Sequence, residues 1–283
     1  MTVNFNIERA YRILLITLGF LLPLTVFGAN LIVVIICLLW LFSGGYKSKF
    51  FEIIESKLML ASIFFFLLHL IGLLWTSDLA WGFHIVHKMW YFLLLFPILF
   101  TIVKREDVKY YIIAFLLAMV FSQLISYLVW FELLPPFQSA TVINPTPFMS
   151  HISYNPILAF SIYLILHQLF FNQKLTRNQF FLCSFFAMVM VVNMFITGGR
   201  AGQVMFFAML GILLFQVFGI NKFKSLLASF LLLPLIFFSA YQVSDQFSSR
   251  IDEGVSDLMS MKVSRNTSIG QRYSFAVNSL DMI

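Results

Sequence analysis

The chain has 283 residues, of which 61% are hydrophobic and 11% charged, and its mean hydropathy is +0.93. Soluble domains carry about 25% charged residues and are less than about half apolar, so a soluble globule is excluded: there is too little polar surface to enclose a core. The formal net charge of +6 does not argue for a nucleic-acid partner, because the basic residues are dispersed in short loops between apolar runs and form no continuous patch.

The pattern predicts an all-α, polytopic transmembrane helical bundle. A membrane-crossing helix needs roughly 20 apolar residues, with a range of about 17–25. About nine spans are read in chain order. Tyr11–Gly28 and Ala29–Phe42 form a tight pair, broken near Pro23 and Asn30, the second being short. Then follow Leu58–Trp75, Lys88–Val103, Val108–Phe131, Tyr154–Phe171, Gln179–Ile196, Ala201–Gly219 and Phe223–Tyr241. The 36 phenylalanines suit helices that face lipid. The first apolar stretch reads as a retained span, not as a cleaved signal peptide. Cys37 and Cys183 both lie inside apolar runs, which argues against a disulfide framework or a zinc site. Residues 1–243 are thus expected to form a multi-span transmembrane domain, and residues 244–283 to open an extracytoplasmic loop with an amphipathic helix.

Cytoplasmic loops of membrane proteins are rich in Lys and Arg. With the N-terminus in the cytoplasm, the inside segments carry Arg9, Arg12, Lys47, Lys49, Lys57, Lys104, Arg105, Lys109, Lys174, Arg177, Lys222 and Lys224, twelve of the eighteen basic residues. The long outside loop 132–153 has none. The exceptions are Lys88, Arg200, Arg250, Lys262, Arg265 and Arg272. This orientation places His151, Arg200 and the tail on the same, extracytoplasmic face.

Three outside segments carry candidate chemistry. Trp75-Thr76-Ser77-Asp78 precedes His84, His87 and Lys88, which share one helical face at i, i+3 and i+4. Either this is a polar ledge at the mouth of a cavity, or Trp75, Trp81 and Trp90 anchor an interfacial helix at headgroup level. In the loop from Pro135-Pro136 to Asn144-Pro145-Thr146-Pro147, the prolines prevent helix, and His151 opens the next span. His151 can donate to a phosphate or a sugar hydroxyl, or simply be satisfied by the loop. The third segment is Thr197-Gly198-Gly199-Arg200-Ala201-Gly202, a very short break between two spans. Gly198 and Gly199 permit a tight backbone at the start of a helix, an end that favours anions. Arg200 adds a planar, permanently charged fork that matches phosphate oxygens. The plainer reading is a connecting turn whose arginine reaches lipid headgroups. In the tail, Tyr273, Val277, Leu280 and Ile283 form an apolar stripe, with Arg265 and Arg272 near its start. Asp252, Glu253 and Asp257 follow no catalytic spacing.

Trp75-Thr76-Ser77-Asp78 with Lys88 and Pro97, His151-Ile152-Ser153-Tyr154, the Gly198-Gly199-Arg200 turn between spans, and Gly270-Gln271-Arg272 together resemble the O-antigen ligase and polymerase family of bacterial glycan-assembly proteins. The resemblance covers nearly the whole chain through short motifs, of which the Gly-Gly-Arg turn is the most specific. It implies an inner-membrane glycosyltransferase that needs no metal and no cofactor, works at the periplasmic face, and moves a glycan from undecaprenyl diphosphate to lipid A–core or another glycan acceptor. Membrane lipids are the other implied partner. By that likeness Arg200 and Arg272 are the expected catalytic residues. Gly198, Gly199, His151, Lys88 and Arg265 are the expected substrate-binding ones. Family members have about a dozen spans and a histidine late in the large loop. This sequence has no histidine after His167 and ends at Ile283, so it is read as truncated within that loop. Polymerase activity on the same carrier is the neighbouring reading, and a carrier or flippase of lipid-linked sugars the reading from another class. The span interiors hold few ionisable groups, chiefly His69, which counts against transport.

Overall fold

The computed structural model describes residues 7–219, 221–260 and 268–281, and among these the secondary structure is helical with no strand. Five helices are long and apolar enough to cross a membrane, and up to seven if each of two bent pairs counts as one span. By contacts the chain divides into two compact units, Met1–Ala118 and Met119–Ile283, with the boundary inside a single long helix.

The first unit opens with α1 (Ile7–Leu21) and α2 (Val26–Phe42). The break between them falls at Pro23, which has no N–H to continue α1, and Asn30 lies inside α2. Thr25 caps α2 by accepting from the Gly28 amide at 3.2 Å. The chain then turns through Gly44 and Gly45, both at positive φ (67° and 68°), a region that favours glycine. That turn bends α3 (Tyr46–Glu55) by 116° from α2. Sequence periodicity does not reveal α3, because it is short and carries Lys47, Lys49, Glu52 and Glu55. Next come α4 (Lys57–Gly72), capped by Ser56, and α5 (Leu79–Lys88), capped by Asp78. The expected span Lys88–Val103 is α6 (Trp90–Leu93) and α7 (Leu95–Ile102), bent by 48° from α5. The shared core is Tyr11, Leu15, Ile36, Ile98 and Ile102.

The long helix α8 (Val108–Trp130) begins after Asp107, whose carboxylate is 3.1 Å from Arg12 Nε. The Arg12 guanidinium also lies over the Tyr110 ring, 4.5 Å from its centroid. Asp107 is buried, so removing its carboxylate leaves Arg12 short of its partner. Asp107→Ala is therefore expected to cost about 1–3 kcal/mol, read as a lower unfolding temperature in detergent, whereas Lys104→Ala, which breaks a far more exposed pair with Glu8, leaves that temperature nearly unchanged.

The second unit contains the rest of α8, then α9 (His151–Phe171), α10 (Arg177–Ile196), α11 (Arg200–Phe218), α12 (Lys222–Val243), α13 (Asp245–Ser260) and α14 (Ser268–Asp281). Helices α9 and α11 run parallel: their N-termini meet at Gly199 and His151, and further along Tyr163 Oη donates to Gln216 Oε1 at 3.0 Å. Helices α10 and α12 run against them. The C-terminus of α10 reaches the start of α9 through Thr197 and Asn155, and Phe237 of α12 packs on Phe207 of α11. Long apolar side chains such as Phe223, Phe230 and Phe238 of α12 remain exposed, as lipid-facing positions require.

Inside this unit runs a polar track. Tyr154 Oη donates to Asn193 Oδ1 at 2.9 Å, and Asn193 Nδ2 donates to Ser126 Oγ at 3.0 Å. Thr197 Oγ1 donates to Asn155 Oδ1 at 2.7 Å, and Gln203 Nε2 donates to the Thr197 carbonyl at 3.1 Å. All of these side chains are buried. In an apolar bundle, hydrogen bonds of this kind between helices fix register where hydrophobic contact alone cannot.

Candidate anion site at the Gly-Gly-Arg turn

The turn from α10 into α11 is built by side-chain amides. Asn144, in the proline-rich loop, accepts from the Gly198 amide at 2.8 Å. Asn155, on α9, reaches the carbonyls of Thr197 and Gly199 at 3.4 and 3.5 Å. Gly199 is required by proximity, and Gly198 is closely crowded. A Cβ on Gly198 would lie 2.7 Å from Gln246 Nε2 and 3.1 Å from Arg250 Nε, and one on Gly199 would lie 2.7 Å from the His151 carbonyl. At Gly199 the obstacle is the main chain of α9, whereas at Gly198 it is the ends of the Gln246, Asn144 and Arg250 side chains, which would have to move.

This packing fixes Arg200 at the first position of α11. The first amides of a helix lack partners within it and present partial positive charge. Arg200 adds full charge there, and its side chain is only 29% exposed. Arg250, from α13, brings a second guanidinium to the same end of the unit, with Nε against Gly198. His151 opens α9 beside Gly199.

The cations are partnered by carboxylates of α13. Glu253 Oε2 is 2.6 Å from Arg200 Nη2 and 2.9 Å from Arg250 Nη1, and Asp257 Oδ2 is 3.9 Å from Arg200 Nη1. The hydrogen bond from Arg250, joined by that from Arg200 and by both positive charges, holds the Glu253 carboxyl below its ordinary value of 4.5. Because the folded value is lowered, this pairing contributes in full above pH 4.5 and is lost as pH falls through the lowered value.

Next to the turn, α10 and α12 border a largely apolar crevice of about 800 Å³. Val192 and Phe195 line one side, Leu235 and Val243 the other, while Asp245 and Gln246 stand at a polar edge. Gln246 also approaches Gly198, so one residue borders both the crevice and the cationic turn.

The structure thus gathers Gly198, Gly199, Arg200 and His151 of the sequence-based candidates. Lys88 ends α5 in the first unit and is exposed. Arg265 lies outside the described residues, and Arg272 falls in α14 with its side chain outside them. Sequence reasoning missed Asn144, Asn155, Gln203, Gln246 and Arg250 as members of the site, and it left Glu253 and Asp257 unpartnered. Asn155 and Gln203 carried a usable signal, an amide within an apolar run. Glu253 carried only its i,i+3 spacing from Arg250, and nothing signalled its pairing with Arg200, 53 positions away. Among the described residues, no group of three or more His, Cys, Asp or Glu is placed to hold a metal ion.

These features define a helical protein, with several helices that could span a membrane, bearing a two-arginine site at a glycine turn beside an apolar crevice. No family model, curated protein or solved structure matches the chain.

Proposed function

We propose that the protein is an inner-membrane glycosyltransferase of the O-antigen ligase type, moving a glycan from undecaprenyl diphosphate to lipid A–core or a similar acceptor. The carrying observation is the pairing of two chemistries at one place. Arg200, backed by Arg250 and the start of α11, suits an anionic head group. The adjoining crevice suits a hydrocarbon chain. A lipid-carried diphosphate has both parts.

In the proposed reaction an acceptor hydroxyl oxygen attacks the anomeric carbon, the bond from that carbon to the diphosphate oxygen breaks, and the hydroxyl proton leaves to a base. Negative charge grows on the departing diphosphate. Arg200 lowers the barrier by stabilising that charge from a fixed position. The positive-inside pattern supports a cytoplasmic N-terminus and a periplasmic site.

In a strain lacking the gene, complementation with the wild-type chain restores long glycan on lipid A–core, and Arg200→Ala does not, as read on a lipopolysaccharide gel. Single units left on lipid A–core in the deletion strain point instead to polymerisation. Carrier activity predicts no transfer by purified protein in detergent, where no second compartment exists. Full glycan attachment with Arg200→Ala contradicts the role given to that residue.

A further inference from the structure

Glu253 stands where an anion would. Its Oε2 atom is shared by two guanidinium groups, from Arg200 at 2.6 Å and Arg250 at 2.9 Å. Asp257 adds a second carboxylate on Arg200 at 3.9 Å. One oxygen held by two arginine forks is also the arrangement that binds a phosphate oxygen. The carboxylates and one of the arginines all come from α13, so the occupant and part of the site travel on one helix.

The two halves of α13 are held differently. At its start, Phe247 is buried with its ring 5.1 Å from that of Phe195 and 5.4 Å from that of Phe237, and Ser244 Oγ donates to the Phe195 carbonyl at 2.6 Å. Further along, Val255 and Met259 are exposed, and the ion pairs of Glu253 and Asp257 join the helix to Arg200. Apolar burial anchors the first turns, while the rest is held by these ion pairs and by Tyr241 Oη, which donates to Asp252 Oδ1 at 2.8 Å.

We propose that Glu253, aided by Asp257, is a displaceable carboxylate that sets the charge a ligand needs in order to occupy the two-arginine site. The inference rests on the reading of Arg200 as a head-group ligand and names what selects that head group. A monoanion would trade one shared oxygen for another and would still have to displace both carboxylates, so it gains little. A diphosphate brings more charge and more acceptor oxygens, enough to engage Arg200 and Arg250 together. On exchange, Glu253 and Asp257 leave Arg200, while the turns from Ser244 to Arg250 stay packed beside Phe195 and Gly198. The lowered pKa of Glu253 agrees with this, since the carboxylate is ionised and paired at neutral pH.

The test uses the purified chain in detergent, with inorganic phosphate and pyrophosphate as probes. Calorimetry reads affinity, and amide hydrogen exchange reads α13. Wild type is expected to bind pyrophosphate and not phosphate. Glu253→Gln keeps the size of the side chain and removes its charge. It should bind pyrophosphate about tenfold more tightly and acquire phosphate binding, since an ionised competitor is gone. Exchange beyond Arg250 should rise in Glu253→Gln without ligand, and in wild type when pyrophosphate is added. Asp257→Asn serves as a second variant and should show the same changes, smaller in size. Pyrophosphate binding that depends on Arg200 but is unaffected by Glu253→Gln, with exchange also unchanged, overturns the displacement while leaving the anion site standing. Faster exchange in Glu253→Gln with no anion bound by any variant overturns the head-group reading and the selectivity built on it.

Discussion

Replacing Gly202 by alanine is expected to destabilise the second unit more than any other single methyl added to α11. A Cβ at that position would fall inside the van der Waals envelope of the Asn155 backbone and side chain, and 2.6 Å from the Pro156 nitrogen. Main-chain atoms cannot turn aside as the end of a flexible side chain can. Pro156 further limits α9 there, because its ring fixes φ. The methyl would have to push α9 and α11 apart, and their separation opens the hydrogen bonds that Asn155 makes to Thr197. Overpacking of this kind costs about 1–3 kcal/mol or more, roughly 3–10 °C in unfolding temperature. Gly202→Leu should yield aggregated material. Gly211→Ala on the same helix is the control, since its methyl would meet only Leu233 Cδ1 at 3.9 Å. Size-exclusion profiles and thermal unfolding in detergent separate the three variants.

The second large effect is on ligand binding. Arg200→Ala removes one of the two forks and should weaken binding of a lipid-linked diphosphate by roughly ten- to a hundredfold, the range for losing a hydrogen bond to a charged group. Stability should change little, because Arg200 is partly exposed and its ion pairs with Glu253 and Asp257 lie at the edge of the unit. Arg200→Lys should recover only part of the affinity. Lysine supplies the charge but not the planar pair of donors, and its ammonium cannot contact two oxygens in the same geometry. A substitution that lowers both affinity and unfolding temperature would point to a structural role for the residue instead. Titration of the three proteins with one lipid diphosphate, followed by thermal unfolding, makes the distinction.

Much of the second unit is legible in the sequence because its spans are long and uninterrupted. The runs Val108–Phe131, Tyr154–Phe171, Gln179–Ile196, Ala201–Gly219 and Phe223–Tyr241 coincide with α8 to α12 to within a few residues. The first unit is less legible. Its helices are shorter and broken at Pro23, at Gly44-Gly45 and after Lys88, and hydropathy averaged over a window joins or blurs such pieces. The Gly-Gly-Arg turn stands out locally, since two glycines and a cation between apolar runs have few structural uses. What surrounds it does not. Asn144, Asn155 and Gln246 reach the turn only through the folding of the proline-rich loop, α9 and α13. The partnership of Arg200 with Glu253 is set by the way α13 folds back over the end of the bundle, a relation no local spacing encodes.

The turn at Gly198, Gly199 and Arg200 is proposed to receive a diphosphate carried on a hydrocarbon chain. Native mass spectrometry tests it most directly, using the purified chain with undecaprenyl diphosphate or with undecaprenol, which has the same chain and no phosphate. The diphosphate is predicted to stay bound, the alcohol to be held far less, and Arg200→Ala to lose the difference between them. Equal retention of the two lipids by the wild-type chain, or equal retention of the diphosphate by wild type and Arg200→Ala, would contradict the account.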